Sequence, residues 1–153
     1  MGITIKIIDK VYCNDLAELL NSDEKLHLAF SLNSPRKNIT GNEYYEGCKA
    51  WEIRKNGSNF VILYNERPIG SISFYKRDDS TAGCGYWLES RLWGKGYGKE
   101  TFSLFLPIIK KAGFKYVTAD ILKSNEASLR IWARYTTDIK ENDDRYFPII
   151  CLK

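Results

Sequence analysis

The sequence predicts a single domain of mixed α/β (α+β) type, and three observations carry that prediction. Helical patterns cluster before residue 57, three strand-like runs follow one another between residues 59 and 88, and helix then alternates with strand to the end. A doubly wound sheet would instead alternate strand and helix throughout. At 153 residues the chain is long enough for one real core and short for two, so residues 1–153 are read as one domain.

Residues 3–8 (ITIKII) are β-branched enough for an opening strand. Asn14 is placed to cap a helix over DLAELLNS, and Ser22 another over DEKLHLAFSL, before Ser34-Pro35 breaks the chain. A helix over NEYYEGCKAWEIRK stops at Asn56-Gly57. NFVILY and IGSISFY read as two strands of a hairpin joined by Asn65-Glu66-Arg67-Pro68, and CGYWL as a third strand after the polar turn RDDSTAG. From about Lys99 to Ala112, Phe102, Phe105, Leu106 and Ile109 recur at the spacing of one buried helical face, with Pro107 expected to kink it. Lys115–Leu122 reads as a strand, Asn125 to about Tyr135 as a helix, and YFPIICL as a closing strand with Pro148 at an edge or bulge.

Bulk properties exclude more than they select. Charged residues of both signs alternate and the net charge is only +4, so no nucleic-acid face emerges. Cys13, Cys48, Cys84 and Cys151 form no C-x-x-C pair and read as reduced thiols. No stretch has the pattern of a signal peptide or a membrane span, which points to a cytoplasmic protein without a membrane partner. His27 is the sole histidine and lies in an apolar helix, leaving a Ser-His-Asp triad or a multi-His metal site little to build on.

Arg91-Leu92-Trp93-Gly94-Lys95-Gly96-Tyr97-Gly98 lies between a strand and a helix. Its three glycines permit a tight turn and close approach of a bulky anion, and the helix start adds free N–H groups. Arg91, Lys95 and Lys99 add charge, so the segment reads as a diphosphate cradle. A Walker A loop fails on Trp93 and Glu100, which stand where Gly and Ser/Thr are needed. The G-x-G-x-G spacing and the antiparallel meander before it also disfavour a dinucleotide fingerprint.

The pattern that fits is R-x-x-G-x-G, carried by Arg91, Gly94 and Gly96. With Gly85-Tyr86-Trp87-Leu88, Trp93-Gly94-Lys95-Gly96-Tyr97 and Glu100, the sequence resembles the GNAT superfamily of acetyl-CoA-dependent N-acetyltransferases. Its closest likeness is to the ribosomal-protein-alanine and spermidine acetyltransferase branch, over about residues 58–135. The resemblance implies a mostly antiparallel central sheet with a splayed strand pair, flanked by helices. It implies that amides from about Leu92 to Lys99 hold the pyrophosphate of acetyl-CoA, and that the strand at 84–88 parts from 115–122 to admit the pantetheine arm. It also implies that Asn125 and Ser128, an N-x-x-S element, contact or neighbour that arm, and that Arg134 approaches a phosphate. A backbone N–H near Leu88 would polarise the acyl carbonyl.

The acid and base stay open. Trp132 stands where the family often has a proton-donating Tyr, so Tyr135 reaches in from the next turn, solvent serves, or catalysis is impaired. A base is needed because the amine must be neutral to attack. Gly83 occupies a position that is often acidic in the branch; Glu89 is the nearest carboxylate and Glu52 a distant one. The expected activity is acetyl transfer to a primary amine on a small molecule or protein, in a fold that is often a homodimer. The alternative is a degenerate module that holds acyl-CoA without turnover.

Overall fold

The computed structural model describes residues 2–29 and 38–153. The Ser34-Pro35 break and the end of the helix expected over residues 23–32 lie outside them. Strand β1 (Ile3–Ile7) leads into helices α1 (Lys10–Ser22), α2 (Glu24–Ala29) and α3 (Gly41–Lys55). Then come β2 (Gly57–Tyr64), β3 (Arg67–Lys76), β4 (Thr81–Leu88), α4 (Tyr97–Lys111), β5 (Tyr116–Thr118), β6 (Ile121–Leu122), α5 (Glu126–Ala133), β7 (Ile139–Glu141) and β8 (Arg145–Cys151).

Helix starts differ from expectation because other side chains reach the free amides first. Asp9 accepts from the Val11 N–H at 3.0 Å, so α1 begins a turn before Asn14. Asp23, rather than Ser22, accepts from the Leu26 N–H at 3.1 Å and opens α2. Thr40 and Glu43 form a reciprocal capping box on α3, which ends with Asn56 in the left-handed region at φ 53°. The β2–β3 connection is shorter than predicted, because Asn65 and Glu66 both adopt positive φ and make a two-residue turn. Helix α4 runs on through Pro107, whose exposed position leaves the unpaired carbonyl one turn back, on exposed Ser103, facing water.

Among the described residues the sheet has the order β1-β2-β3-β4-β5-β8-β6, with β7 also on β8. Every pairing is antiparallel except β4 with β5. That parallel pair holds for Thr81, Ala82 and Gly83 against Tyr116, Val117 and Thr118, and then ends. The strand expected over 115–122 is therefore two strands, since Ala119 and Asp120 leave β4 as the chain turns to pair Ile121 and Leu122 with β8. One apolar cluster packs Phe102, Phe105 and Ile109 of α4 and Trp132 of α5 against one sheet face. A second, around Leu16, Val61 and Leu63, fills the opposite face beneath α1 and α3.

Candidate active site

The turn after β4 leaves open space and uncapped amides. Gly94 and Gly96 have φ of 76° and 88°, a region that disfavours side chains, and no atom lies within 4 Å of where a Cβ would stand. Gly96 caps α4 without any side-chain acceptor, so the first amides of that helix are left for a ligand. Lys95, Lys99 and Arg91 are exposed around them.

Three side chains fix the approach to this turn. The Trp93 indole donates to the Leu88 carbonyl at 2.9 Å. Asp23 accepts from both the backbone and the hydroxyl of Ser90 at 2.7 Å. Glu89, 1% exposed, faces the Arg67 guanidinium at 2.7 Å and accepts from the Arg91 Nη2 at 3.0 Å. A carboxylate held between two guanidiniums suits anchoring Arg91 better than taking a substrate proton.

The register of β4 decides what its free edge offers. Glu89 donates its N–H to Ile69 at 2.8 Å and Arg77 donates to Thr81 at 3.0 Å, so the odd-numbered residues of β4 bond to β3. By alternation, the backbone polar groups of Cys84, Tyr86 and Leu88 point at the opposite edge. The Cys84 N–H still pairs with the Thr118 carbonyl and the Leu88 carbonyl accepts from Trp93, which leaves both groups of Tyr86 and the Leu88 N–H facing the gap where β5 has departed. A cavity of about 360 Å³ occupies that gap. Cys84, Gly85 and Tyr86 form one wall, the chain from Ala119 to Leu122 the other, and Asn125, Ser128 and Trp132 of α5 close one side.

The cavity passes through the sheet. Cys84, Tyr86, Ala119, Ile121 and Trp132 belong to the core face under α4 and α5. Side chains alternate along strands, so Gly85, Asp120 and Leu122 face the other side, with Arg145 across from Leu122. Gly85 is exposed, with no atom within 4 Å of a Cβ built on it, which leaves that side open.

The other expected residues divide. Asn125 caps α5 by accepting from the Ser128 N–H at 3.1 Å, leaving its amide donors for a ligand. Ser128 is buried, and burial pushes the pKa of the Tyr86 phenol upward. Trp132 is buried against Phe102, with ring centroids 4.7 Å apart. Tyr135 rests edge-on against the same Phe102 at 5.5 Å and does not line the cavity, nor does Arg134. Gly83 cannot carry a side chain here, because a Cβ would collide with the Tyr75 ring. Glu52 accepts from the Asn59 N–H at 2.9 Å and pairs with Lys49 at 3.2 Å, away from the cavity.

The sequence reading passed over Asp120, Tyr86, Cys84 and Arg145 as functional side chains. Asp120 is the carboxylate among the cavity's lining residues, partly exposed and 3.2 Å from Arg77 through one oxygen. Its signal was faint: an acidic residue inside the apolar run KYVTADIL, five positions before Asn125. Burial raises the Cys84 thiol to about 12, so it stays protonated at the cavity wall.

Residues 8–135 match the family described as Acetyltransferase (GNAT) domain. An uncharacterized protein of Methanocaldococcus jannaschii is 28% identical over 133 residues, which are 82% of this chain. The chain spans only 26% of that relative's length. YncA of Salmonella typhimurium, solved with its cofactor acetyl-CoA, superposes with a TM-score of 0.73 at 18% identity, covering 100% of this chain and 95% of that one. A second Salmonella typhimurium protein, the acetyl transferase that modifies the N-terminal serine of ribosomal protein L7/L12, gives 0.77 at 14%, covering 100% and 96%. Both structural likenesses concern the fold.

Proposed function

The chain belongs to the GNAT acetyltransferase family, and from that premise we propose that it transfers an acetyl group from acetyl-CoA to a primary amine by direct attack in a ternary complex. The observation that carries this reading is the through-sheet cavity, with unpaired backbone groups along one wall and Asp120 beyond the other. The fit to acetyl-CoA is good on this chain's own features: free amides and open glycines for a diphosphate, then an extended edge for an amide-bearing arm.

When bound, acetyl-CoA supplies an activated acyl carbon and a thiolate leaving group. Amides from Gly94 to Lys99, with Lys95, Lys99 and Arg91, hold the pyrophosphate; the Leu92 and Trp93 amides first included already donate to the Glu89 and Ser90 carbonyls. The Leu88 N–H and the Tyr86 C=O face the arm, joined by the Asn125 amide. Tyr86 lies two residues from Leu88, about 7 Å further along the strand, and its N–H is the last one free before the slot closes. That N–H therefore takes the carbonyl-polarising role first given to Leu88. Asp120 accepts the amine proton, the part first given to Glu89. Water entering past Gly85 protonates the thiolate, because Trp132 has no phenol and Tyr135 stands outside the cavity. Four free thiols suit a reducing compartment, and we place the protein in the cytoplasm.

The same Trp132 and Tyr135 favour a second reading, a module that holds acyl-CoA without turnover. Calorimetry with acetyl-CoA, paired with thiol release across a panel of small amines and N-terminal peptides, separates the two. Micromolar binding lost in Gly96→Glu, with release on at least one amine, supports transfer. Binding without any release supports the module, and no binding removes both.

A further inference from the structure

The acceptor side of the cavity carries a cation that the acetyl-transfer reading leaves without a task. Arg145, half-buried on β8, lines the cavity and pairs across the sheet with Leu122, so its side chain shares the face of Asp120. Two residues along the strand and one strand across place the two backbones about 8 Å apart. Both side chains can therefore reach one small molecule.

Among the described residues Arg145 has no carboxylate partner within 4 Å, which holds also for Arg54, Arg130 and Arg134, but of these four Arg145 alone lines the cavity. Asp120 is already matched by Arg77. A guanidinium left open in a partly dehydrated cavity is a ready fork for two anionic oxygens.

We infer that Arg145 selects the acceptor: an amine whose own molecule carries a carboxylate or phosphate a few atoms from the nitrogen. Arg145 grips the anionic group while Asp120 faces the amine. The inference rests on the transfer reading and deepens it. Arg145 is a specificity residue and moves no proton.

The test compares matched acceptors with acetyl-CoA and the full chain: glycine against glycinamide, and phosphoethanolamine against ethanolamine. In the wild type the anionic member of a pair is expected to have the higher kcat/KM, and the pair showing it identifies carboxylate or phosphate as the group held. Arg145→Gln is expected to cut the anionic-to-neutral ratio about 10- to 100-fold, chiefly through KM, the loss of a charge-assisted pair. Arg145→Lys should restore part of it. Acetyl-CoA titration and a thermal melt on each variant confirm that the fold and cofactor site persist. If neutral amines are acetylated as well as charged ones, or both members of each pair fall equally in Arg145→Gln, the inference fails and the transfer reading stands. If acetyl-CoA binds and no amine is acetylated, both fail.

Discussion

Asp120 is the residue proposed to take the amine proton. It reaches the cavity because β5 ends at Thr118, so the next two residues are released from the sheet. Asp120→Asn keeps the shape and removes the base. The expected result in a thiol-release assay is a 10²- to 10⁴-fold loss of kcat, with acetyl-CoA affinity unchanged by calorimetry. A variant with wild-type turnover would return the role to another group. Cys84 gives a second residue-scale prediction. With its thiol pushed up to about 12 by burial, it should resist iodoacetamide at neutral pH while exposed Cys151 reacts, as peptide mass mapping would show. The sign for stability follows. The folded thiol holds its proton above the ordinary value of 9.0, so its contribution is complete below that pH and fades as pH rises toward about 12. A urea series between those limits should show falling stability, with a shallower fall in Cys84→Ala. Glu89 shows why single residues were hard to read. Its position suggested a base, but sequence cannot reveal that Arg67, more than twenty positions earlier, meets the same carboxylate.

At the scale of elements, the glycine turn before α4 was legible and the gap between β4 and β5 only partly so. Alternate glycines before an amphipathic helix state their purpose locally, because positive φ and absent Cβ atoms are properties of the residues themselves. Gly96→Ala should cost roughly 1–2 kcal/mol from the left-handed backbone and weaken acetyl-CoA binding. Gly85→Ala, on extended backbone with nothing within 4 Å, should melt like the wild type. Equal melting of the two would show that the turn relaxes without cost. The division of residues 115–122 into two strands was not legible, since an apolar run reads the same whether its partner changes or not. Nor was β7, whose three residues carry too little pattern to stand out. Helix starts slipped for a related reason: Asp9 and Asp23 compete with Asn14 and Ser22 as caps, and only packing decides between them.

For the whole molecule, the sheet divides labour between its two faces. Helices α4 and α5 cover the face toward which the cofactor arm is proposed to lie, while α2 and β8 border the face open to an acceptor. In the proposed reaction the two substrates meet edge to edge through the gap between β4 and β5 and need not share one pocket, which would supply proximity without moving either. The crystal structure with acetyl-CoA tests this arrangement most directly. It is expected to place the pyrophosphate on the amides of residues 94–99, the thioester carbonyl on the Tyr86 N–H, and the acetyl carbon facing Asp120 through the sheet. An acetyl group pointing away from Asp120, or a cofactor lying outside the gap between β4 and β5, would contradict it.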